Sequence, residues 1–349
     1  MAILNPKQEI VSLLRGYFAC PLISFLGKRG ILDKMIDKEF SINDFKEIIN
    51  KDVFHSILVY FESIGLLEKS RDTEKYRATE VGNKILKRYG AFCLLHSYGT
   101  FLDLLEKILL NKDYKDTPKV DRTENVIGSG QTNSRKYFPS AIEMIKKNAS
   151  PLKVIDVGCG NGAFLKQVLR SFGNCNIVAV DISEKALEET EKNLRTSFDK
   201  VNLTTILDNG RDVSRWLPKS IGKDKNKEKG SLIITMWYFI HEISKKDVNE
   251  VIDFLKEIYK ISPFADIIIG EITSIPAEIL TSNKYDSIMP EFLFFHDISG
   301  QNVLSWQTYH EILKKLPYEL KDERLFDVLN YNNERIPSGF VWYLTPKGG

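Results

Sequence analysis

Helical spacing dominates the first third of the chain. The opening segment, MAILNPKQEIVSLLRGYFACPLISFLGKRG, is apolar in a helical rhythm that Lys7, Glu9 and Arg15 interrupt. Ser41 and Asp44 form a helix-capping pair, and Phe54, Leu58 and Phe61, at i, i+4 and i+7, stripe a second helix that Gly65 can end. Residues 66–68 and 76–79 can then pair as a short ribbon around the polar turn at 71–74, completing a helix-turn-helix-wing outline. Residues 92–112 read as another long apolar helix, and the polar stretch 112–131 leads into a second domain.

There the rhythm changes. Residues 152–157, 176–181, 201–207, 231–236 and 265–270 are five short β-rich runs. Helical patterns separate them, such as 250–259, where Val251, Phe254, Leu255 and Ile258 share a face. Strands alternating with helices predict an α/β fold with a doubly wound parallel sheet. A final pair, 319–327 and 339–344, can close one edge as an antiparallel hairpin. The pattern divides the chain into a helical, winged-helix-like domain at 1–115 and an α/β domain at 116–349. There is no internal repeat. Residues 219–230, KSIGKDKNKEKG, carry five lysines against two acids and read as a solvated loop.

Composition narrows the partners. Net charge is +2, from 49 basic and 47 acidic residues, which gives no global field to hold a nucleic acid. The second helix carries Asp52, Phe54, His55, Ser56, Tyr60 and Glu62 with only Lys51 basic, a poor surface for phosphates. The winged outline is therefore read as a module for dimerisation and for covering a substrate. No run of about 18 apolar residues is found, so no membrane span is expected. Four cysteines, Cys20, Cys93, Cys159 and Cys175, are scattered without CxxC spacing, which fits a reducing compartment such as the cytoplasm.

The most specific stretch is LKVIDVGCGNGAF, residues 152–164. A strand runs into Gly158, Gly160 and Gly162 and then into a helix, so the backbone can turn tightly and approach a ligand. The spacing is G-x-G-x-G rather than the G-x-G-x-x-G of dinucleotide binders, and Asp156 precedes the first glycine. A carboxylate there suits the ammonium of S-adenosylmethionine (SAM), directly or through water. Asp181 ends the second strand, about twenty residues on, where an acid can bind both ribose hydroxyls. Ile182 would lie against the adenine, and Asp208, at the end of the third strand, can accept from the adenine amine. Tyr137 and Met236 are assigned to the same donor pocket.

Asp156 to Phe164, Asp181 and Asp208 resemble the signature of class I SAM-dependent methyltransferases, which have a Rossmann-like fold. With its N-terminal outline, the chain resembles the small-molecule methyltransferases that dimerise through a winged-helix-like domain, which implies a homodimer. After the fourth strand the chain reads ITMWYFIHEISKKD, placing His241 and Glu242 at the carboxyl edge of the sheet, where ligands of open α/β sheets bind. In O-methyltransferases of this type a histidine here is the general base on a hydroxyl. His296, in MPEFLFFHDISGQ, lies in the segment after the fifth strand. The combination resembles the α-keto acid C-methyltransferases. That resemblance implies an iron or zinc ion held by His241, Glu242 and His296, with Asp297 or Glu271 as substitutes for Glu242. It also implies methylation at the β-carbon of a keto acid through a metal-stabilised enolate. The preferred expectation is this C-methylation in natural-product biosynthesis; the alternative is a metal-free O-methyltransferase. Candidate acceptor-lining residues are Phe18, Tyr98, Phe101, Tyr137, Trp237, Tyr238 and Phe295, with Arg122 or Arg135 for a substrate carboxylate.

Overall fold

The computed structural model describes residues 6–70, 72–111, 120–222, 230–244, 247–281, 287–331 and 334–348. The chain divides into two units, one of Met1–Leu110 with Pro118–Thr132 and one of Asn111–Thr117 with Asn133–Gly349. Parts of three sequence features, the turn at 71–74, the bridge at 112–131 and the lysine-rich loop at 219–230, lie outside the described residues.

In the first unit, helix Pro6–Lys28 buries Ala19, Ile23 and Leu26 in a core with Phe40, Phe45, Phe54, Leu58, Phe61 and Tyr76. This helix is long and apolar enough to cross a membrane by length and composition alone, which corrects the expectation that no such segment exists. Ile10, Leu13, Leu14, Tyr17 and Phe18 on it are each more than half exposed. Ser41 and Asp44 form a capping box, but it heads a single 3-10 turn at Ile42–Asp44. The α-helix starts later, at Lys51–Ser63, where the Asn50 side chain accepts from Val53 N at 3.1 Å. Phe54, Leu58 and Phe61 form its buried stripe, and Gly65 exits it at φ +79°. Leu67–Lys69 and Tyr76–Ala78 pair antiparallel, and Glu39–Phe40 adds a third strand beside Tyr76–Ala78.

The long helix expected at 92–112 is broken into Tyr89–His96, Gly99–Asp103 and Leu105–Leu110. Ser97 explains the first break. Its hydroxyl donates to Leu94 O at 2.6 Å, and its carbonyl accepts from Asp121 N at 2.8 Å instead of continuing the helix ladder.

The second unit is built on strands β1 (Lys153–Val157), β2 (Asn176–Asp181), β3 (Leu203–Leu207), β4 (Leu232–Trp237), β5 (Asp266–Ile272), β6 (Tyr318–Phe326) and β7 (Gly339–Pro346). They form one seven-stranded sheet in the order β3-β2-β1-β4-β5-β7-β6. The first five run parallel, and β7 is antiparallel to both β5 and β6. Helices Tyr137–Asn148, Ala163–Phe172 and Glu184–Ser197 cover one face through Ile142, Phe164, Leu165, Leu187 and Leu194. Helices Val213–Ile221, Val248–Ile261 and Trp306–Lys314 cover the other through Trp216, Leu217, Val251, Phe254 and Tyr309. The strand order reverses between β1 and β4, so the carboxyl ends of these two strands open onto a crevice suited to a ligand. The expected terminal hairpin forms, but β7 is interior and β6 is the edge. The burial of every β7 residue shows why the more polar β6 was the one left outside.

Candidate functional site

The turn after β1 is made by glycines in the left-handed region: Gly158 at φ +73°, Gly160 at +56° and Gly162 at +74°. Gly162 is also the N-cap of helix Ala163–Phe172, and a Cβ there would meet Thr190 Cγ2 at 2.8 Å. A side chain at 162 would push the glycine turn away from helix Glu184–Ser197. Asp181, at the tip of β2, braces the turn: its Oδ2 accepts from Gly160 N at 3.1 Å and its Oδ1 from Ser183 N at 2.9 Å. Beside it Ile182 is 60% exposed, an apolar side chain at a strand tip where a flat ring can cover it.

Three of the residues assigned to the donor pocket have partners or packing within the protein. Asp156 is 1% exposed, and Thr235 on β4 donates to its Oδ1 at 2.7 Å, so the carboxyl is turned into the sheet. Asp208 is engaged by Lys219 at 3.3 Å and by Arg215 at 3.4 Å. Met236, next to last in β4, is fully buried in the core with Ile155, Val157 and Ile234. Tyr137 is 8% exposed, stacks on Phe326 at 4.1 Å and meets Tyr238 edge-on at 5.9 Å.

Burial raises the Asp156 carboxyl to about 7, with the neighbouring Asp181 adding to the shift. From about pH 4 to about pH 7 the unfolded chain ionises this group while the folded chain does not, so its contribution to stability falls as pH rises. The span from 3.8 to about 7 corresponds to at most about 4 kcal/mol. Asp156→Asn is expected to flatten the pH dependence of the melting temperature over that window and to raise it near pH 7, as calorimetry at stepped pH will read.

Beyond β4 the chain turns sharply. Tyr238 sits at φ +52°, a left-handed conformation that costs a non-glycine residue on the order of 1–3 kcal/mol. Its N donates to Gly270 O at 2.9 Å and its hydroxyl to Asn133 Oδ1 at 2.6 Å, contacts that hold the turn in place. A one-turn helix, Ile240–Ile243, follows, and Glu271 on β5 caps it. Glu271 is wholly buried; its Oε2 accepts from Ile240 N at 3.0 Å and His241 N at 3.3 Å. Its Oε1 accepts from Ile272 N at 2.9 Å and from His241 Nδ1 at 2.9 Å. A carboxylate can only accept, so the His241 proton is on Nδ1 and the basic nitrogen is Nε2.

The expected metal ligands each have a partner within the protein. His241 is 4% exposed and His296, on helix Met289–Ile298, is 1% exposed; their rings lie 5.2 Å apart, edge to face. His296 Nδ1 donates to Phe292 O at 2.7 Å, within its own helix. Glu242 accepts instead from Gln301 Nε2. Residues 240–243 are helical, so His241 and Glu242 leave the backbone about 100° apart. Among the described residues no group of three histidine, cysteine, aspartate or glutamate side chains is placed to hold a metal ion. Of the expected acceptor lining, Trp237 is packed against Phe138 and Phe164 at 4.7 and 4.8 Å, and Tyr98 and Phe101 are buried in the first unit.

In the sequence Glu271 stands out only as a substitute ligand, and neither its place beneath His241 nor the Asn133–Tyr238 bond is visible there. A signal for the first was present: Glu271 interrupts the apolar run IIIGEI, and a carboxylate inside a buried strand needs donors around it.

Residues 154–261 match a family described as Methyltransferase domain, and residues 15–112 match the AprA winged helix domain. A secondary metabolism regulator of Coprinopsis cinerea is 33% identical over 109 residues, 30% of this chain and 27% of that protein. The malonyl-[acyl-carrier protein] O-methyltransferase of Halalkalibacterium halodurans is 43% identical over 44 residues, 13% of this chain and 16% of that protein. These alignments span under a third of either relative. Solved structures align along the whole chain. Human N-acetylserotonin methyltransferase in complex with SAM matches with a TM-score of 0.58, 12% identity and 100% coverage of both chains. An O-methyltransferase family protein from Burkholderia thailandensis matches with 0.59, 12% identity and 99% coverage of both. The chain thus carries a methyltransferase domain with the class I, Rossmann-like fold, together with an N-terminal winged-helix domain of the AprA kind.

Proposed function

We propose that this chain is a SAM-dependent O-methyltransferase of a small hydroxylated acceptor, with His241 as general base. The observation that carries the reading is the buried Glu271–His241 pair at the carboxyl edge of β4 and β5, with the basic nitrogen fixed as Nε2. A keto-acid carbon acid would need a cation to stabilise its enolate, and among the described residues no group of three histidine, cysteine, aspartate or glutamate side chains is placed to hold one. A hydroxyl needs only a base.

The glycine turn fits the methyl donor by its shape: left-handed glycines, the Asp181 carboxylate at the ribose position and the exposed Ile182 beside it. Bound SAM supplies an electrophilic methyl group and leaves as S-adenosylhomocysteine once the acceptor oxygen has taken that methyl. His241 Nε2 removes the hydroxyl proton as the oxygen attacks, and Glu271 stabilises the imidazolium that results. Burial of both residues keeps water from competing for the proton. Exchange with solvent then restores neutral His241.

Asp181→Ala is expected to weaken SAM binding about ten- to a hundred-fold without loss of fold, since hydrogen bonds to a charged group contribute about 1.5–3 kcal/mol. Calorimetric titration reads this, and an unchanged affinity removes Asp181 from the donor site. The function itself is tested by incubating the protein with methyl-labelled SAM and a panel of hydroxylated acceptors and keto acids. Transfer to hydroxyl compounds that persists in chelator supports the proposal, and transfer confined to keto acids and abolished by chelator overturns it.

The exposed apolar face of helix Pro6–Lys28, with Ile10, Leu13, Leu14, Tyr17 and Phe18, supports a homodimer formed through the first unit. Sedimentation is expected to give twice the chain mass, and Leu13→Asp with Tyr17→Asp is expected to give the single chain. A double variant that still sediments as a dimer would place the interface elsewhere.

A further inference from the structure

Asn133 is 2% exposed, yet only one end of its amide is engaged. Its Oδ1 accepts from the Tyr238 hydroxyl at 2.6 Å. Its amide nitrogen has no acceptor among the described residues. Nor is that nitrogen among the buried polar atoms sealed from solvent, so it retains accessible surface. An amide nitrogen held this way, with its oxygen already engaged, is free to donate to a ligand that displaces water from it.

Its neighbours connect Asn133 to the glycine turn. Tyr238, its partner, directly precedes Phe239, whose Cδ2 lies 3.6 Å from where a Cβ on Gly158 would stand. On the other side, Gln167 of helix Ala163–Phe172 donates its Nε2 to Ser134 O at 3.5 Å, and that helix continues directly from the glycine turn. Asn133 is thus flanked by both elements that frame the turn. In the donor site proposed above Asp181 takes the ribose, which leaves the donor's amino-acid end for Asn133. That end offers an ammonium and a carboxylate. An amide N–H can only donate, so it pairs with the carboxylate.

We propose that Asn133 Nδ2 binds the carboxylate of the methyl donor's methionine moiety, with Tyr238 fixing which way the amide points. The inference rests on the SAM-dependent reading above. Tyr238 has its phenol pushed well above its ordinary pKa, first by burial and then by Tyr137 and Glu271, so it remains a donor and holds Asn133 Oδ1 as the acceptor. The left-handed backbone at Tyr238 then serves a second purpose, carrying the phenol to Asn133 as well as turning the chain toward His241.

The test uses two probes that share adenine, ribose and sulfur. S-adenosylhomocysteine carries the amino-acid end, and 5′-methylthioadenosine lacks it. Asn133→Asp keeps an oxygen for the Tyr238 hydroxyl and removes the amide donor, and Asn133→Ala removes both. The full chain is titrated by calorimetry, with melting temperatures as the check on folding. S-adenosylhomocysteine is expected to bind about ten-fold or more weakly to each variant, with 5′-methylthioadenosine within about two-fold of the unsubstituted chain. Unchanged S-adenosylhomocysteine affinity in the folded aspartate variant, or equal losses for both probes, overturns the assignment of Asn133 while leaving the donor site standing. If the unsubstituted chain binds neither probe, the donor reading and this inference fall together.

Discussion

His241→Ala is expected to lower kcat for methyl transfer by roughly a hundred- to ten-thousand-fold, the range a positioned general base contributes. The donor should still bind, because the glycine turn follows β1 and Asp181 ends β2, whereas His241 lies on the short helix beyond β4. Calorimetry with S-adenosylhomocysteine and turnover with saturating acceptor separate the two effects. A variant that loses donor affinity in step with turnover would make His241 a packing residue of the cleft. One that turns over at the original rate would remove the base from the account. His241→Gln keeps a polar side chain of similar size and cannot take up a proton at neutral pH, so it should behave as the alanine variant does.

Glu271→Gln should affect two observables at once. The carboxylate accepts from three backbone amides and from His241 Nδ1, and a glutamine offers only one oxygen to those donors. At least one buried amide is left without an acceptor, at a cost of about 1–3 kcal/mol. In a unit of this size that lowers the melting temperature by several degrees. Turnover should fall nearly as far as in His241→Ala, because the ring loses both its orientation and the charge that stabilises its protonated form. Full activity in a folded Glu271→Gln protein would mean that the short helix Ile240–Ile243 aims His241 without help from Glu271.

The sheet was legible in the sequence because its parallel strands are buried on both faces. Runs such as KVIDV and LIITMW therefore stand out from the helices between them, and the observed strands begin and end within a few residues of the expected ones. The glycine turn was legible for a similar reason, since positive φ at three nearby positions leaves few residues to choose from. What was not legible depended on contacts distant in sequence. Asp156 and Asp208 both stand at strand ends, which is all that spacing can say; Thr235 behind the first and Arg215 with Lys219 beside the second decide how each is used. His241 and Glu242 are adjacent in the chain, and their partners, Glu271 for His241 and Gln301 for Glu242, lie 30 and 59 positions further along. Asn133 carried no sequence signal at all. It closes an unremarkable polar helix, and its significance comes from Tyr238, 105 positions further along.

The most direct test of the account is the position of the transferred methyl group. With 13C-methyl SAM, an acceptor found by screening and chelator present throughout, carbon NMR of the product is expected to show the label as a methoxy signal, and His241→Ala should remove that signal. A label found on carbon beside a carbonyl, formed only when a divalent or ferric ion is supplied, would contradict the account and return the two histidines to the role of metal ligands.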